Sequence, residues 1–257
     1  MKLLVFITAY NVEKFINTVV RRIPIRKLNK KYKHISILII DDFSKNNLKN
    51  FIYFFDYLKK NNINLKIIRN KKNLGYGRCQ IKGYSWGIKN KFDHVVLLHG
   101  DGQYKPEKIV DMLYPLKNFD AVQGSRMIYK LDAIKGRMPL YKFFGNIFLT
   151  FFQNILTNNK LTEYHSGYRA YSLKALKSIP FNLNVDEYHF DTQILFQLMI
   201  AKKKITEIAI PTYYGDEVSY LNSITYGFKI LKTTIDYKFR KNSFFYKENY
   251  DLKNFKI

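Results

Sequence analysis

The segment His99-Gly100-Asp101-Gly102-Gln103 sets an imidazole and a carboxylate two positions apart, directly after the apolar run Val95-Val96-Leu97-Leu98. A short unbroken apolar run reads as a strand buried on both faces. In an open α/β sheet, ligands collect beyond the carboxyl ends of the strands. His99 and Asp101 at such an end can hold a divalent cation against a bound phosphate. The alternative for His99 is a hydrogen-bonded imidazole that touches no metal. Gln103 can add a hydrogen bond to the same ligand.

Other segments carry chemistry of the same kind. Asp41-Asp42 closes the apolar run Ile35-Ser36-Ile37-Leu38-Ile39-Ile40. Its carboxylates can accept hydrogen bonds from a base or from ribose hydroxyls, or cap a helix with Ser44 as helper. Asn73-Leu74-Gly75-Tyr76-Gly77 is a glycine-bearing turn ahead of a helix, able to aim backbone N–H groups at a phosphate or to be an ordinary loop. Arg126 and Arg169 follow small residues in Gly124-Ser125-Arg126 and Ser166-Gly167-Tyr168-Arg169. Guanidinium suits phosphate bidentately, and the competing use is a salt bridge. Asp191 opens a helix, where it is either an N-cap or a general base for a hydroxyl.

Positioning these groups requires strands that alternate with helices, which argues for an α/β fold with a mostly parallel sheet. Strands are expected at 3–7, 35–40, 65–68, 95–98, 121–123 and 205–210, with strand or turn at 166–171. Helices are expected at 15–23, 48–58, 76–89, 106–116, 191–202 and from 141 onward through a basic, aromatic stretch. A last helix over 226–241 carries Phe228, Leu231, Ile235 and Phe239 on one stripe among lysines. The chain divides on this reading into a main domain, 1–223, and a basic amphipathic tail, 224–257.

The 257 residues are 47% hydrophobic and can build a sizeable core. The single cysteine, Cys79, rules out an internal disulfide and reads as a buried thiol. With 44 basic and 20 acidic residues the formal charge is +24, which suits nucleic acid, an anionic membrane or an anionic small substrate. A-T-rich codons would give the same mixture of Lys, Asn, Ile, Tyr and Phe without any partner. No run approaches the ~20 apolar residues of a membrane-spanning helix. The stretches 141–156 and 226–241 have the pattern of helices that lie on an anionic membrane, or of core helices with solvated charges.

Taken in order, these segments resemble glycosyltransferase family 2, most closely its dolichol- or polyprenyl-phosphate mannose synthase branch. Thr8-Ala9-Tyr10-Asn11 stands for P-x-Y-N, Asp41-Asp42-Phe43-Ser44 for D-D-x-S, and Asn73-Leu74-Gly75 for N-x-G. His99-Gly100-Asp101-Gly102-Gln103 stands where the family has D-A-D-x-Q, and the two arginine segments match G-S-R and S-G-[FY]-R. Phe190-Asp191-Thr192-Gln193-Ile194 matches F-D-x-E-[IL]. The likeness implies a GT-A fold, a nucleoside-diphosphate sugar donor, a Mg²⁺ or Mn²⁺ ion, and sugar transfer with inversion. It assigns Ala9, Tyr10, Asn11, Asp41, Asp42, Asn73, Gly75 and Gln103 to the nucleotide, and His99 with Asp101 to metal and phosphates. Arg126 and Arg169 would contact phosphate on donor or acceptor. The acceptor would be a polyprenyl phosphate, or else a saccharide hydroxyl with Asp191 as base. The setting would be cytoplasmic, peripheral to a membrane.

Three departures stand out. His99 replaces an acidic residue, which tilts metal preference toward Mn²⁺. Thr8 replaces proline. After Pro211 the chain reads Thr212-Tyr213-Tyr214-Gly215-Asp216-Glu217, without the basic element that polyprenyl-phosphate enzymes often carry. A nucleotidyltransferase would need a glycine-rich basic loop near the N-terminus, which Thr8-Ala9-Tyr10-Asn11 is not. A nucleic-acid-binding module is disfavoured by the lack of a zinc pattern or RNA-binding aromatic signature.

Overall fold

The computed structural model describes residues 1–51, 53, 55–211, 214 and 222–240. Seven strands form one sheet: β1 (Lys2–Ala9), β2 (His34–Asp41), β3 (Ile63–Arg69), β4 (His94–His99), β5 (Ala121–Ser125), β6 (Arg169–Ser172) and β7 (Ile205–Ala209). Their order is β3-β2-β1-β4-β6-β5-β7. β6 runs antiparallel to both β4 and β5, and the other pairings are parallel. The order reverses between β1 and β4, and such a switch point opens a crevice at the strand exits.

Ten α-helices accompany the sheet among the described residues: α1 (Ile16–Arg21), α2 (Ile25–Leu28), α3 (Phe55–Lys60), α4 (Tyr76–Lys89) and α5 (Ile109–Leu113) in the first half, then α6 (Lys130–Lys135), α7 (Leu140–Thr157), α8 (Leu173–Leu176), α9 (Phe190–Ile200) and α10 (Ser223–Phe239). Two apolar layers sandwich the sheet because successive side chains of a strand point to opposite faces. Leu3, Val5 and Ile7 of β1 face one layer with α1, α2 and α5, while Leu4 and Phe6 face the other with α4 and α9.

The helix expected over 48–58 is broken into a 3₁₀ turn at Leu48–Phe51 and the short α3. Asparagines compete with helical hydrogen bonding there, and Asn47 Oδ1 accepts from the Lys49 N–H at 3.1 Å. Of the expected tail, 224–239 lies in a docked helix, α10, which packs against α7 and α9 and buries Tyr237 beside Phe196. Residues 241–257, like the segment 215–217 that bore on the acceptor, lie outside the described residues. No helix among the described residues is long and apolar enough to cross a membrane.

Candidate active site

β1, β2 and β4 exit into a cleft of about 950 Å³. That volume lies within the range of small-ligand sites, roughly 300–1,000 Å³. Ala9, Tyr10 and Asn11 line it from the β1 exit, His99 and Asp101 from the β4 exit, and Asp42, Asn73 and Gly75 from the loops between. These eight residues, singled out in the sequence, stand together on one wall. Asn11 holds a left-handed backbone (φ 52°) and stitches two loops, its N–H donating to Ser44 Oγ and its Oδ1 accepting from Lys45 N.

Asp42 is not a helix cap; it lines the cleft and at the same time anchors a loop. One oxygen accepts from Leu74 N and Asn70 Nδ2 at 2.8 and 2.7 Å, and the other from Gly75 N at 2.8 Å. The carboxylate thus ties down the 70–75 loop. Asp41 is fully buried, takes the Ser44 N–H and faces Arg69 at 3.6 Å, so it lies behind the wall. The glycines of the 73–77 turn also have a different reason from phosphate approach. A Cβ on Gly75 would meet Asp186 O at 2.5 Å, and one on Gly77 would meet Val185 O at 2.1 Å. Gly77 N–H donates to Asp186 O at 2.7 Å. The start of α4 is therefore spent on the 185–189 loop, which forms the cleft's second wall with Asp186 to His189 and with Asn222, Thr225, Tyr226 and Lys229 of the α10 region.

Asp101 lines the cleft and uses Oδ1 to accept from Gln103 N at 3.0 Å, which explains the local turn and directs Gln103 by its backbone. Gly102 supplies the left-handed residue of that turn (φ 80°). His99 Nε2 lies 2.9 Å from the Tyr76 hydroxyl. Tyr76 donates its one proton to Asp191 Oδ2, also at 2.9 Å. The hydroxyl must then accept from His99, so His99 carries its proton on Nε2 and keeps its lone pair on Nδ1. Burial holds this imidazole below its ordinary pKa, although Asp101 and Asp191 pull the other way.

Asp191 and both arginines lie off the cleft wall, contrary to the expectation for each. Asp191 accepts from Tyr76 and from Gln80 Nε2 at 2.8 Å, and its carboxylate is buried beside Arg169 at 4.0 Å. It reaches the cleft wall through its hydrogen bond with Tyr76. Arg169 is fully buried and donates to the carbonyls of Ser166, Asp191 and Tyr164. A guanidinium with those commitments organises the chain between β6 and α9 and has no face left for phosphate. Arg126 is clamped to Glu163 through its backbone N–H and guanidinium, and reaches the Tyr214 hydroxyl at 3.0 Å. Burial alone would raise the Glu163 pKa, but the Arg126 charge, its hydrogen bonds and one from Asn146 leave it lowered.

Among the described residues no three His, Cys, Asp or Glu side chains cluster as a metal cage. One carboxylate beside a diphosphate-sized cleft suits Mg²⁺ or Mn²⁺, which draw most ligands from substrate oxygens and water. The residues present fit such an ion, with Asp101 to hold it and His99 Nδ1 as the available nitrogen. Sequence reasoning missed Tyr76, Gln80, Glu163 and the second wall. Tyr76 sat between the two glycines of a quoted motif, but a single aromatic has no periodicity to mark it.

Comparison with known proteins follows the same geometry. A sequence model of Glycosyl transferase family 2 matches residues 4–179. The UDP-N-acetylglucosamine–dolichyl-phosphate N-acetylglucosaminyltransferase of Methanococcus voltae is 30% identical over 236 residues, covering 87% of this chain and 91% of that protein. An undecaprenyl-phosphate mannosyltransferase of Micrococcus luteus is 27% identical over 139 residues, 53% of this chain and 56% of its own. Glucosyl-3-phosphoglycerate synthase from Mycobacterium tuberculosis, solved with Mn²⁺, uridine diphosphate and glucosyl-3-phosphoglycerate, superposes with a TM-score of 0.58 at 14% identity, over 92% of this chain and 79% of that one.

Proposed function

This chain belongs to glycosyltransferase family 2, and from that premise we propose that it moves a sugar from a nucleoside-diphosphate sugar to a polyprenyl phosphate, with inversion at the anomeric carbon. The observation that carries the choice of acceptor is the state of Asp191. A saccharide hydroxyl needs a base within reach. The Asp191 carboxylate is buried, accepts from Tyr76 and Gln80, and faces Arg169. A phosphate acceptor is already ionised near neutral pH and needs no proton removed. The names of two relatives, for dolichyl and undecaprenyl phosphate, support the same reading.

The roles follow from the walls. Ala9, Tyr10, Asn11 and Asn73 receive the nucleoside, on loops fixed by Asp42 and Ser44. Asp101, with His99 beside it, would hold the divalent ion. When bound, that ion offsets the charge that builds on the departing diphosphate. Tyr76 fixes the orientation and tautomer of His99. Lys229 of α10 lines the second wall beside Glu187 and offers the acceptor phosphate a nearby cation. Such an enzyme works where cytosolic nucleotide sugars meet a membrane-borne acceptor, so its setting is the cytoplasmic face, bound peripherally.

The test is transfer of radiolabelled sugar from a panel of nucleotide sugars, with Mn²⁺ or Mg²⁺, to dolichyl or undecaprenyl phosphate in detergent, against neutral saccharides. Lipid-linked product alkali-stable as a monophosphate diester is expected. Transfer to saccharides alone overturns the proposal.

A further inference from the structure

Helix α7 is built inside out. Its inward side consists of Phe143 and the polar residues Asn146, Thr150, Gln153 and Thr157. These are mostly satisfied inside the protein: Asn146 donates to Glu163, Thr150 to Asn146 Oδ1, and Thr157 to the Gln153 carbonyl. The opposite side presents Leu140, Tyr141, Phe144, Phe148, Phe151 and Ile155, each 58–66% exposed. Spacings of three and four put Tyr141, Phe144, Phe148, Phe151 and Ile155 on one face of a helix about 27 Å long. Its neighbour α10 behaves alike. It buries Ile230, Thr233, Thr234 and Tyr237, and exposes Ile224, Phe228, Ile235 and Phe239. The core does not need these aromatic stripes, and contiguous exposed apolar surface of this size marks an interaction site.

Charge selects the occupant. Residues 130–160 and 223–240 contain nine basic and two acidic side chains. Lys135, Arg137, Lys160, Lys232, Lys238 and Arg240 are exposed among them. A second copy seated on this face would set lysine against lysine. An anionic lipid surface accepts the aromatic side chains at its acyl boundary and the lysines at its headgroups. The cleft is continuous with this face, because Thr225, Tyr226 and Lys229, which line the cleft, share α10 with Phe228.

We propose that α7 and α10 form an in-plane docking face for an anionic bilayer, which seats the mouth of the cleft at headgroup level. The face stands on its own geometry, whether or not the acceptor is a polyprenyl phosphate.

The experiment is flotation of the full chain with vesicles of phosphatidylcholine alone, or of phosphatidylcholine with phosphatidylglycerol, both free of polyprenyl phosphate. The wild type is expected to float with the anionic vesicles and at least tenfold less with the neutral ones. Phe148→Glu/Phe151→Glu and, separately, Phe228→Glu are expected to lose at least tenfold of that binding. Their melting temperature and nucleotide-dependent stabilisation should be unchanged, since the altered side chains are exposed and off the cleft wall. In detergent, their turnover with soluble acceptor should also be kept. Failure of sugar transfer with vesicle binding intact would sink the acceptor reading only. A wild type that ignores anionic vesicles, variants that bind as well as it does, or a solution dimer that the same variants split would each overturn the docking face.

Discussion

The Tyr76 hydroxyl lies 2.9 Å from His99 Nε2, and the same hydroxyl donates to Asp191 Oδ2. One proton cannot serve two acceptors, so this contact decides the tautomer of His99 and leaves Nδ1 as its acceptor. The aromatic rings of the pair also meet edge to face at 5.4 Å. Removing the hydroxyl in Tyr76→Phe should release that constraint. Long-range ¹⁵N–¹H spectra of histidine should show a single Nε2–H tautomer in the wild type and a mixed population in the variant. Turnover should fall about 10- to 100-fold, the usual cost of losing a group that orients a site ligand. An unchanged tautomer in the variant would refute the assignment.

Gly167 makes room for that pair. A Cβ there would stand 2.6 Å from His99 Nε2 and 2.8 Å from Tyr76 Oη. Gly167→Ala should therefore displace both rings and reproduce most of the Tyr76→Phe loss in turnover. Circular dichroism should stay native, because Gly167 keeps an ordinary backbone conformation that alanine can adopt. A crystal structure of the variant with both rings in place would contradict the argument.

Asp101→Ala should separate metal-dependent from metal-independent nucleotide binding. In the wild type, Mn²⁺ plus a matching nucleoside diphosphate should raise the melting temperature more than either alone, through linkage of binding to stability. In the variant that synergy should vanish, and turnover should drop by orders of magnitude, while the unliganded melting temperature falls by only about 2–4 °C, the cost of the Gln103 N–H bond that Asp101 accepts. Retained synergy would remove Asp101 from the cation site.

Glu163→Ala should be the costliest of these changes for stability. It strips a buried guanidinium of its counter-ion and Asn146 of its acceptor. Breaking one partner out of a buried pair costs about 3–5 kcal/mol. Urea unfolding should report that loss, and a loss below about 1 kcal/mol would show the clamp to be dispensable.

Acid should destabilise the protein through its buried imidazoles. Burial lowers His165 to about 4, with Glu163 raising it somewhat and Arg126 lowering it further. Burial also lowers His94, and Lys31 adds to that. Both rings are neutral in the fold, whereas the unfolded chain binds their protons near pH 6.5. The unfolded state thus holds more protons between about 6.5 and 4, so stability drops as the pH is lowered through that window. Glu163 adds a loss below the ordinary carboxylate range, as its depressed pKa is approached. Replacing His165 with Gln should flatten the upper part of this profile in urea titrations; an unaltered profile would clear His165.

Much of the cleft wall at the β1, β2 and β4 exits was legible from residues alone. β1, β2 and β4 are short apolar runs whose polar exits were visible as Thr8-Ala9-Tyr10-Asn11, Asp41-Asp42 and His99-Gly100-Asp101. Side-chain direction was not legible. Arg169 looks like a ligand contact by type and spacing, yet it is consumed by backbone carbonyls that only the fold brings near, and Asp42 on the cleft wall also ties down the 70–75 loop. The second wall was hidden for another reason. Asp186 to His189 meet α4 across a sequence separation of about a hundred residues, and no local pattern encodes such a contact. The stripe on α10 is visible at helical spacing, but spacing does not say which way it faces, and the structure turns Phe228, Ile235 and Phe239 outward.

The fit of Gly75 and Gly77 against the 185–186 carbonyls has a consequence for how this enzyme could be rebuilt. The family match ends at residue 179, short of the 186–189 and 222–229 stretches that close the cleft. On the proposed roles of the two walls, chimaeras that exchange everything after that point would inherit donor handling from one parent and acceptor choice from the other. They would succeed only when the graft brings a backbone that nests against bare α-carbons at the seam, so compatibility is governed by two hydrogen atoms where side chains would otherwise stand.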